Sequence, residues 1–156
     1  MCFHVARLIL IGVITSLTAC ASFKYIMDTP DSQLTFHHTT LEFKVAWNTI
    51  QTGNDMVIEG LITNVRNIQV KSVEMNVMVL DANERHLSEG TVLLDHINGT
   101  VPFSVKIKDG VIAKGSVLKF IVSYHINDGS WYGRSGQSSF KVDAVTGVAI
   151  EEQKVK

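Results

Sequence analysis

The segment VEMNVMVL (residues 73–80) decides the fold class, because its side chains alternate between apolar and polar with a period of two. In an extended chain, successive side chains point to opposite faces. One face then carries the apolar residues Val73, Met75, Val77 and Val79. The opposite face carries Glu74 and Asn76. This alternation predicts a strand that packs on a core with one side only, as in antiparallel sheets.

The same alternation recurs in VLKFIVSYHI (117–126) and VPFSVKI (101–107). Groups of Gly, Asn and Asp separate the apolar runs, and these residues favour turns. We predict about seven strands from this spacing. They lie near residues 41–50, 56–64, 69–80, 85–94, 99–107, 117–126 and 131–142.

No convincing amphipathic helix intervenes between these segments, so the chain is predicted to be all-β. Seven short strands with regular turn signals favour a seven-stranded antiparallel β-sandwich of immunoglobulin-like arrangement. The domain is predicted to cover residues 41–143, with residues 144–156 as a C-terminal tail.

The chain begins with one cation, Arg7, followed by the apolar run LILIGVITSL (8–17). This run is shorter than the roughly 20 residues that span a bilayer core, and it is typical of an export signal. The signal ends at Leu17-Thr18-Ala19-Cys20. This motif resembles the lipobox of bacterial lipoproteins. A chance cysteine after an ordinary secretory signal, or an uncleaved anchor, are the alternatives.

The resemblance to bacterial lipoproteins implies that residues 1–19 form a signal peptide and that Cys20 is the lipidation site. Cys20 would carry a diacylglyceryl group and an N-acyl chain, and no other cofactor is expected. Ala21 and Ser22 follow the cysteine, whereas an Asp there implies retention at the inner membrane. We therefore expect a lipid anchor in the outer membrane, on the periplasmic or surface face. Residues 20–40 would form the acylated tether.

Charge and cysteine content exclude several classes of function. The chain has a net charge of −1, and loss of Arg7 with the signal leaves −2. With no basic run, there is no electrostatic basis for binding nucleic acid. Cys2 lies in the predicted signal, so the mature chain would contain no disulfide.

One internal block, IEGLITNVRNIQVKSVEMNVMVLDANER (58–85), resembles the FxLYD family of small bacterial sandwich domains. The residues that align with that family's motif are Gly60, Ile62, Asn64, Val79, Leu80 and Asp81. Val77 and Leu80 depart from the Phe and Tyr of that motif. The resemblance implies a sandwich fold and carries no catalytic residue. Independently, the side chains of Asn64 and Asp81 are predicted to close the turns that follow their strands.

No metal site or catalytic group is predicted. His37 and His38 are adjacent, so their rings would point to opposite faces of a strand. The remaining histidines of the mature chain, His86, His96 and His125, show no spacing typical of the three or four converging ligands of a metal site. The serines of GSWYGRSG (129–136) do not form a nucleophile elbow. We therefore expect that the protein is not an enzyme.

The hairpin NDGSWYGRSG (127–136) is the candidate binding segment. Trp131, Tyr132 and Arg134 are residue types favoured at binding hot spots. Glycines 129, 133 and 136 would permit the close approach of another backbone or a sugar ring. Alternatively, Trp131 or Tyr132 closes the end of the core. The edge of the last strand is also a candidate to accept a partner strand.

These features together predict a membrane-anchored envelope lipoprotein. Its β-sandwich would be a non-catalytic binding or accessory module for a protein partner or an envelope complex. The alternative is a ligand-binding lipoprotein that holds a glycan or a small apolar molecule through Trp131 and Tyr132.

Overall fold

The computed structural model describes residues 30–66, 69–126 and 134–150 of the chain. These residues form one 3₁₀ turn, Asp31–Gln33, and nine strands. The strands are β1 (Phe36–Thr39), β2 (Phe43–Thr52), β3 (Asp55–Asn64), β4 (Val70–Leu80), β5 (His86–Ile97), β6 (Thr100–Ile107), β7 (Val117–Ile126), β8 (Arg134–Asp143) and β9 (Ala149–Ile150).

The strands pack as two antiparallel sheets. Sheet A has the order β1-β2-β3-β6, and sheet B has the order β5-β4-β7-β8-β9. In immunoglobulin notation, β2, β3 and β6 correspond to A, B and E, while β5, β4, β7 and β8 correspond to C′, C, F and G. Because β5 joins sheet B, the domain has a C′ strand where immunoglobulin constant domains have a D strand. The predicted antiparallel sandwich is therefore confirmed.

The predicted number of seven strands is wrong, because the described residues form nine. All seven predicted strands are present, from β2 to β8. The first additional strand, β1, lies in the segment 20–40 that we predicted as a tether, and the second, β9, lies in the predicted tail. Both are short, and each pairs with the strand beside it in sequence, β1 with β2 and β9 with β8.

The core lies between the sheets and is built from the alternating residues that the sequence indicated. Val73, Met75, Val77 and Val79 are all fully buried. Trp47 of β2 lies at the centre, with its ring 4.9 Å from that of Phe120. Gly60 pairs with Trp47 across the β2–β3 ladder, where an added Cβ would lie 2.8 Å from the Trp47 Cα. The glycine thus allows the close approach of these two central strands.

Each open side of the sandwich is closed by a contact between the sheets. On one side β5 meets β6 at Gly90, where an added Cβ would lie 2.5 Å from the carbonyl oxygen of Lys106. On the other side, His38 of β1 stacks on Phe140 of β8, with ring centroids 4.1 Å apart. Burial lowers the pKa of His38, because the charged imidazolium is poorly solvated there.

Two predicted side-chain turns are confirmed. Asn64 accepts a hydrogen bond at Oδ1 from the Arg66 N–H at 3.1 Å. Asp81 accepts at Oδ1 from the N–H groups of Asn83 at 2.8 Å and Arg85 at 2.9 Å. The Arg85 bond contributes most to lowering the pKa of Asp81. These side chains fix how β3 and β4 end.

Candidate functional site

Most of the predicted site residues fall on parts of the chain that are not described. Cys20, Trp131 and Tyr132 lie outside the described residues. Arg134 is described as the exposed first residue of β8, and it pairs with Ile126 of β7. The antiparallel β7–β8 pair that flanks residues 127–133 is therefore present.

Gly136 does not offer an opening to a ligand. An added Cβ there would lie 2.6 Å from Cε2 and from the hydroxyl oxygen of Tyr124, so the tyrosine ring already fills the space over the glycine. Tyr124 is buried, and its ring packs edge-on against Phe43 at 5.1 Å. Desolvation raises the pKa of its hydroxyl. Gly136 therefore serves core packing.

The edge of β8 is partly covered within the described residues. Lys141 and Val142 pair with β9, and His38 stacks beside them on Phe140. These contacts within the chain cover part of the β8 edge, so less of it is available to accept the partner strand that we predicted.

The sandwich has two ends that differ in what they carry. The N-terminal end comprises the turn 40–42, residues Val65–Arg66, the connection 98–99 and the first residue of β8. The opposite end, called the valine end, comprises the loops 108–116 and 144–148. Strands of ten residues such as β2 run between these ends.

The first described residues lead away from the N-terminal end. Asp31 forms an ion pair with Lys44, the second residue of β2. Three residues further on, Leu34 is buried with Ala46 and Leu61 on the outer face of sheet A. The Thr35 N–H then donates to Asn48 Oδ1 at 2.9 Å. The described chain therefore passes from the level of Lys44 to that of Asn48 before β1 turns back, so Asp31 lies near the N-terminal end.

The valine end displays apolar side chains on a tightly bonded turn. Val145 is 59% exposed and Val148 is 64% exposed. Asp143 Oδ1 accepts hydrogen bonds from the Thr146 N–H at 2.8 Å, the Val145 N–H at 3.0 Å and the Thr146 hydroxyl at 2.9 Å. These bonds, that from the Thr146 N–H most of all, lower the pKa of Asp143. Thus the valines are held outward by a defined turn.

This turn is connected to the neighbouring loop at the same end. The Ala144 N–H donates to the Ser116 carbonyl at 2.9 Å, which ties the turn to the loop 108–116. That loop carries Val111, which is 51% exposed. Sequence reasoning missed the valine end because AVTGVAI (144–150) was interpreted as tail. The signal was the spacing of Asp143, Thr146 and Gly147, which is typical of a side-chain-closed turn.

A cleft of about 480 Å³ opens at the N-terminal end beside sheet B. Its lining residues are Gln69, Val70, Lys71, Asp95, His96 and Asn98. His96 Nδ1 lies 3.4 Å from the Asp95 carboxylate. The cleft is therefore mainly polar, and none of its described lining residues is a Phe, Tyr or Trp.

The histidines of the described residues are distributed over separate parts of the sandwich. His37 contacts Asp31, His86 contacts Glu89, and His125 Nδ1 lies 3.0 Å from the Ser135 hydroxyl. Among the described residues, no three His, Cys, Asp or Glu side chains form a group that could hold a metal ion. Within the same ranges, no helix is long and apolar enough to cross a membrane.

No protein family matches the chain, and no curated protein matches it. Solved structures that resemble it include the putative ApaA protein from Bordetella pertussis, 12% identical with a TM-score of 0.42 over 69% of this chain and 94% of that one. The GAE domain of GGA2p from Saccharomyces cerevisiae is 9% identical with a TM-score of 0.38 over 68% of this chain and 91% of that one.

A β-glucuronidase from Parabacteroides merdae is 12% identical with a TM-score of 0.41 over 64% of this chain. The chain spans only 13% of that enzyme's length. Similarities at this level of identity do not indicate an activity for this chain.

Proposed function

We propose that this chain is a lipid-anchored protein of the bacterial outer membrane, held through acylated Cys20. Its β-sandwich acts as a non-catalytic binding module for a protein partner in the envelope. The observation that carries the proposal is that Asp31 pairs with Lys44 near the N-terminal end, whereas the exposed valine turn follows the opposite end of the β7–β8 ladder. An anchored domain built in this way presents the valine turn away from the lipid.

The anchor supplies the position of the module. Single acyl chains bind membranes reversibly, whereas two or three chains hold a protein there stably. Residues 21–29 separate Cys20 from Pro30. A fully extended segment of this length reaches about 35 Å at most. Its typical span is about 17 Å when it is flexible. The N-terminal end would therefore stay close to the membrane.

The sandwich then sets the height of the valine end. Strand β2 has ten residues. At about 3.3 Å per residue, such a strand spans roughly 33 Å. Gly147 of the valine turn lies against Phe36, which pairs with Trp47, the fifth residue of β2, so this turn stands about half that distance from the N-terminal end. Val145 and Val148 would thus face the aqueous space, where exposed apolar side chains favour a protein partner. The Asp143 turn limits the entropy lost on binding, because the valines are already ordered.

Photo-crosslinking in living cells tests this proposal. A photoreactive amino acid at Val148 is expected to give a discrete adduct with one envelope protein. The same amino acid at Leu93, which is 75% exposed on β5, is the matched control and should give none. Val145→Asp should abolish the Val148 adduct, because a carboxylate cannot be buried there without a partner. An equal yield from Leu93, or an adduct unaffected by Val145→Asp, would contradict the proposal.

The polar cleft favours a second candidate, in which the domain holds a glycan. Lys71, Asp95 and His96 offer hydrogen-bonding groups of the kind that fix a polar ligand in a pocket. Calorimetric titration of envelope oligosaccharides into the Cys20→Ala protein tests it. Binding that is lost in a Lys71→Ala variant would support this function, and no heat change with any oligosaccharide would contradict it.

A further inference from the structure

The N-terminal end carries an apolar side chain that the sandwich does not use. Leu41 is 71% exposed, although the turn around it is well hydrogen-bonded. The Thr40 N–H donates to the Phe43 carbonyl at 2.8 Å, and the Phe43 N–H donates to Thr40 Oγ1 at 3.1 Å. Since these bonds fix the turn, the outward position of Leu41 is part of the folded structure.

A second exposed aliphatic residue belongs to the adjoining loop. Val65 is 46% exposed, and its N–H donates to the Glu42 carbonyl at 3.0 Å. This bond joins the end of β3 to the turn of Leu41. On the other side, the Asn64 N–H donates to the Gly99 carbonyl at 2.9 Å. The two aliphatic side chains therefore project from loops that are tied together at one end of the sandwich.

The charges beside these residues balance. Glu42 follows Leu41 and Arg66 follows Val65, so the pair contributes one charge of each sign. Such a surface does not require anionic lipid, and its binding would depend on apolar area. The exposed Arg66 side chain can meet a lipid phosphate, as basic side chains do at the membrane interface.

We propose that the N-terminal end rests on the lipid leaflet that holds the anchor, with Leu41 and Val65 inserted at its interface. This inference rests on the proposed lipid anchor at Cys20. It also depends on the position of the first described residues, since Asp31 pairs with Lys44 near this end. The anchor makes the contact intramolecular, so a small apolar area is sufficient to hold the domain upright.

Quenching of a probe by brominated lipid acyl chains tests the contact. The lipidated full chain is reconstituted in zwitterionic vesicles, with Leu41→Cys carrying an environment-sensitive fluorophore. Acylation blocks Cys20, and Cys2 lies in the predicted signal, so the introduced thiol is the labelled one. Val111→Cys is the matched control, because Val111 is 51% exposed at the valine end. Val65→Cys provides an independent second position.

The expected result is loss of fluorescence from the Leu41 and Val65 probes and none from the Val111 probe. If the protein carries labelled palmitate and floats with the vesicles, yet Leu41 is not quenched more than Val111, this inference is overturned while the anchor stands. A spectral shift at Leu41 that depends on protein concentration instead of lipid would mean that a second copy covers it, and would also overturn the inference. Absence of palmitate label would overturn the proposed function and this inference together.

Discussion

Replacement of Leu34 tests the docking of the first described segment, on which the orientation of the domain depends. Leu34 is 6% exposed and packs on Ala46 and Leu61. Leu34→Ala removes three carbon atoms, at about 0.8 kcal/mol for each buried methylene. We expect a loss of about 2 kcal/mol in the free energy of unfolding, the low end for Leu→Ala, because this cluster is small and lies outside the main core.

The assay is urea denaturation of the unlipidated Cys20→Ala protein, with thermal unfolding as a second measurement. A loss of this size should lower the Tm by about 6 to 8 °C for a domain of this length. Leu41→Ala is the matched control, since it makes the same chemical change at a side chain 71% exposed. It should change stability by no more than about 0.5 kcal/mol. Equal effects of the two substitutions would refute the packing of residues 30–35 on sheet A, and with it the assignment of the N-terminal end.

Three further predictions concern the sandwich. Gly60→Ala should lower the free energy of unfolding by about 3 kcal/mol, the upper end for overpacking, because the added Cβ would meet the backbone of Ala46 and Trp47. Urea denaturation measures this loss, and an unchanged midpoint would show that the two strands can separate there. NMR titration should give His38 a pKa below its ordinary value of 6.5. Because the unfolded chain then binds the proton more readily, the free energy of unfolding should reach its full value above about pH 6.5 and fall at lower pH. His38→Gln should reduce this dependence of the free energy of unfolding on pH. Asp143 has a lowered pKa, so its contribution should be present above about pH 4 and be lost on acidification, whereas Asp143→Asn should show a smaller change in Tm between pH 7 and pH 3.

The strands were predictable because their signal is local. Alternation in residues 73–80 indicated which face is buried, and Val73, Met75, Val77 and Val79 are fully buried. Strand β1 was not predictable, because Phe36–Thr39 has only four residues, and its position depends on contacts with distant parts of the chain. The stacking of His38 on Phe140 and the packing of Leu34 on Leu61 are of this kind.

The candidate site was less predictable than the fold. The exposure of Val145 and Val148 depends on which strand ends lie together at this end of the sandwich. A run of aliphatic residues near a terminus indicates neither the exposure of these side chains nor the arrangement of the strand ends. The role of Gly136 likewise depends on Tyr124 lying across it from the paired strand. By contrast, the turns closed by Asn64 and Asp81 were predictable, because those hydrogen bonds span only two to four residues.

The most direct test of the account is lipid attachment at Cys20. The tagged protein is expressed in its host with labelled palmitate, beside the Cys20→Ala variant, and the inner and outer membranes are separated. The account predicts that the native protein carries the label in the outer-membrane fraction, and that the variant loses both label and membrane residence. A native protein without label, or a variant that remains labelled and membrane-bound, would contradict it.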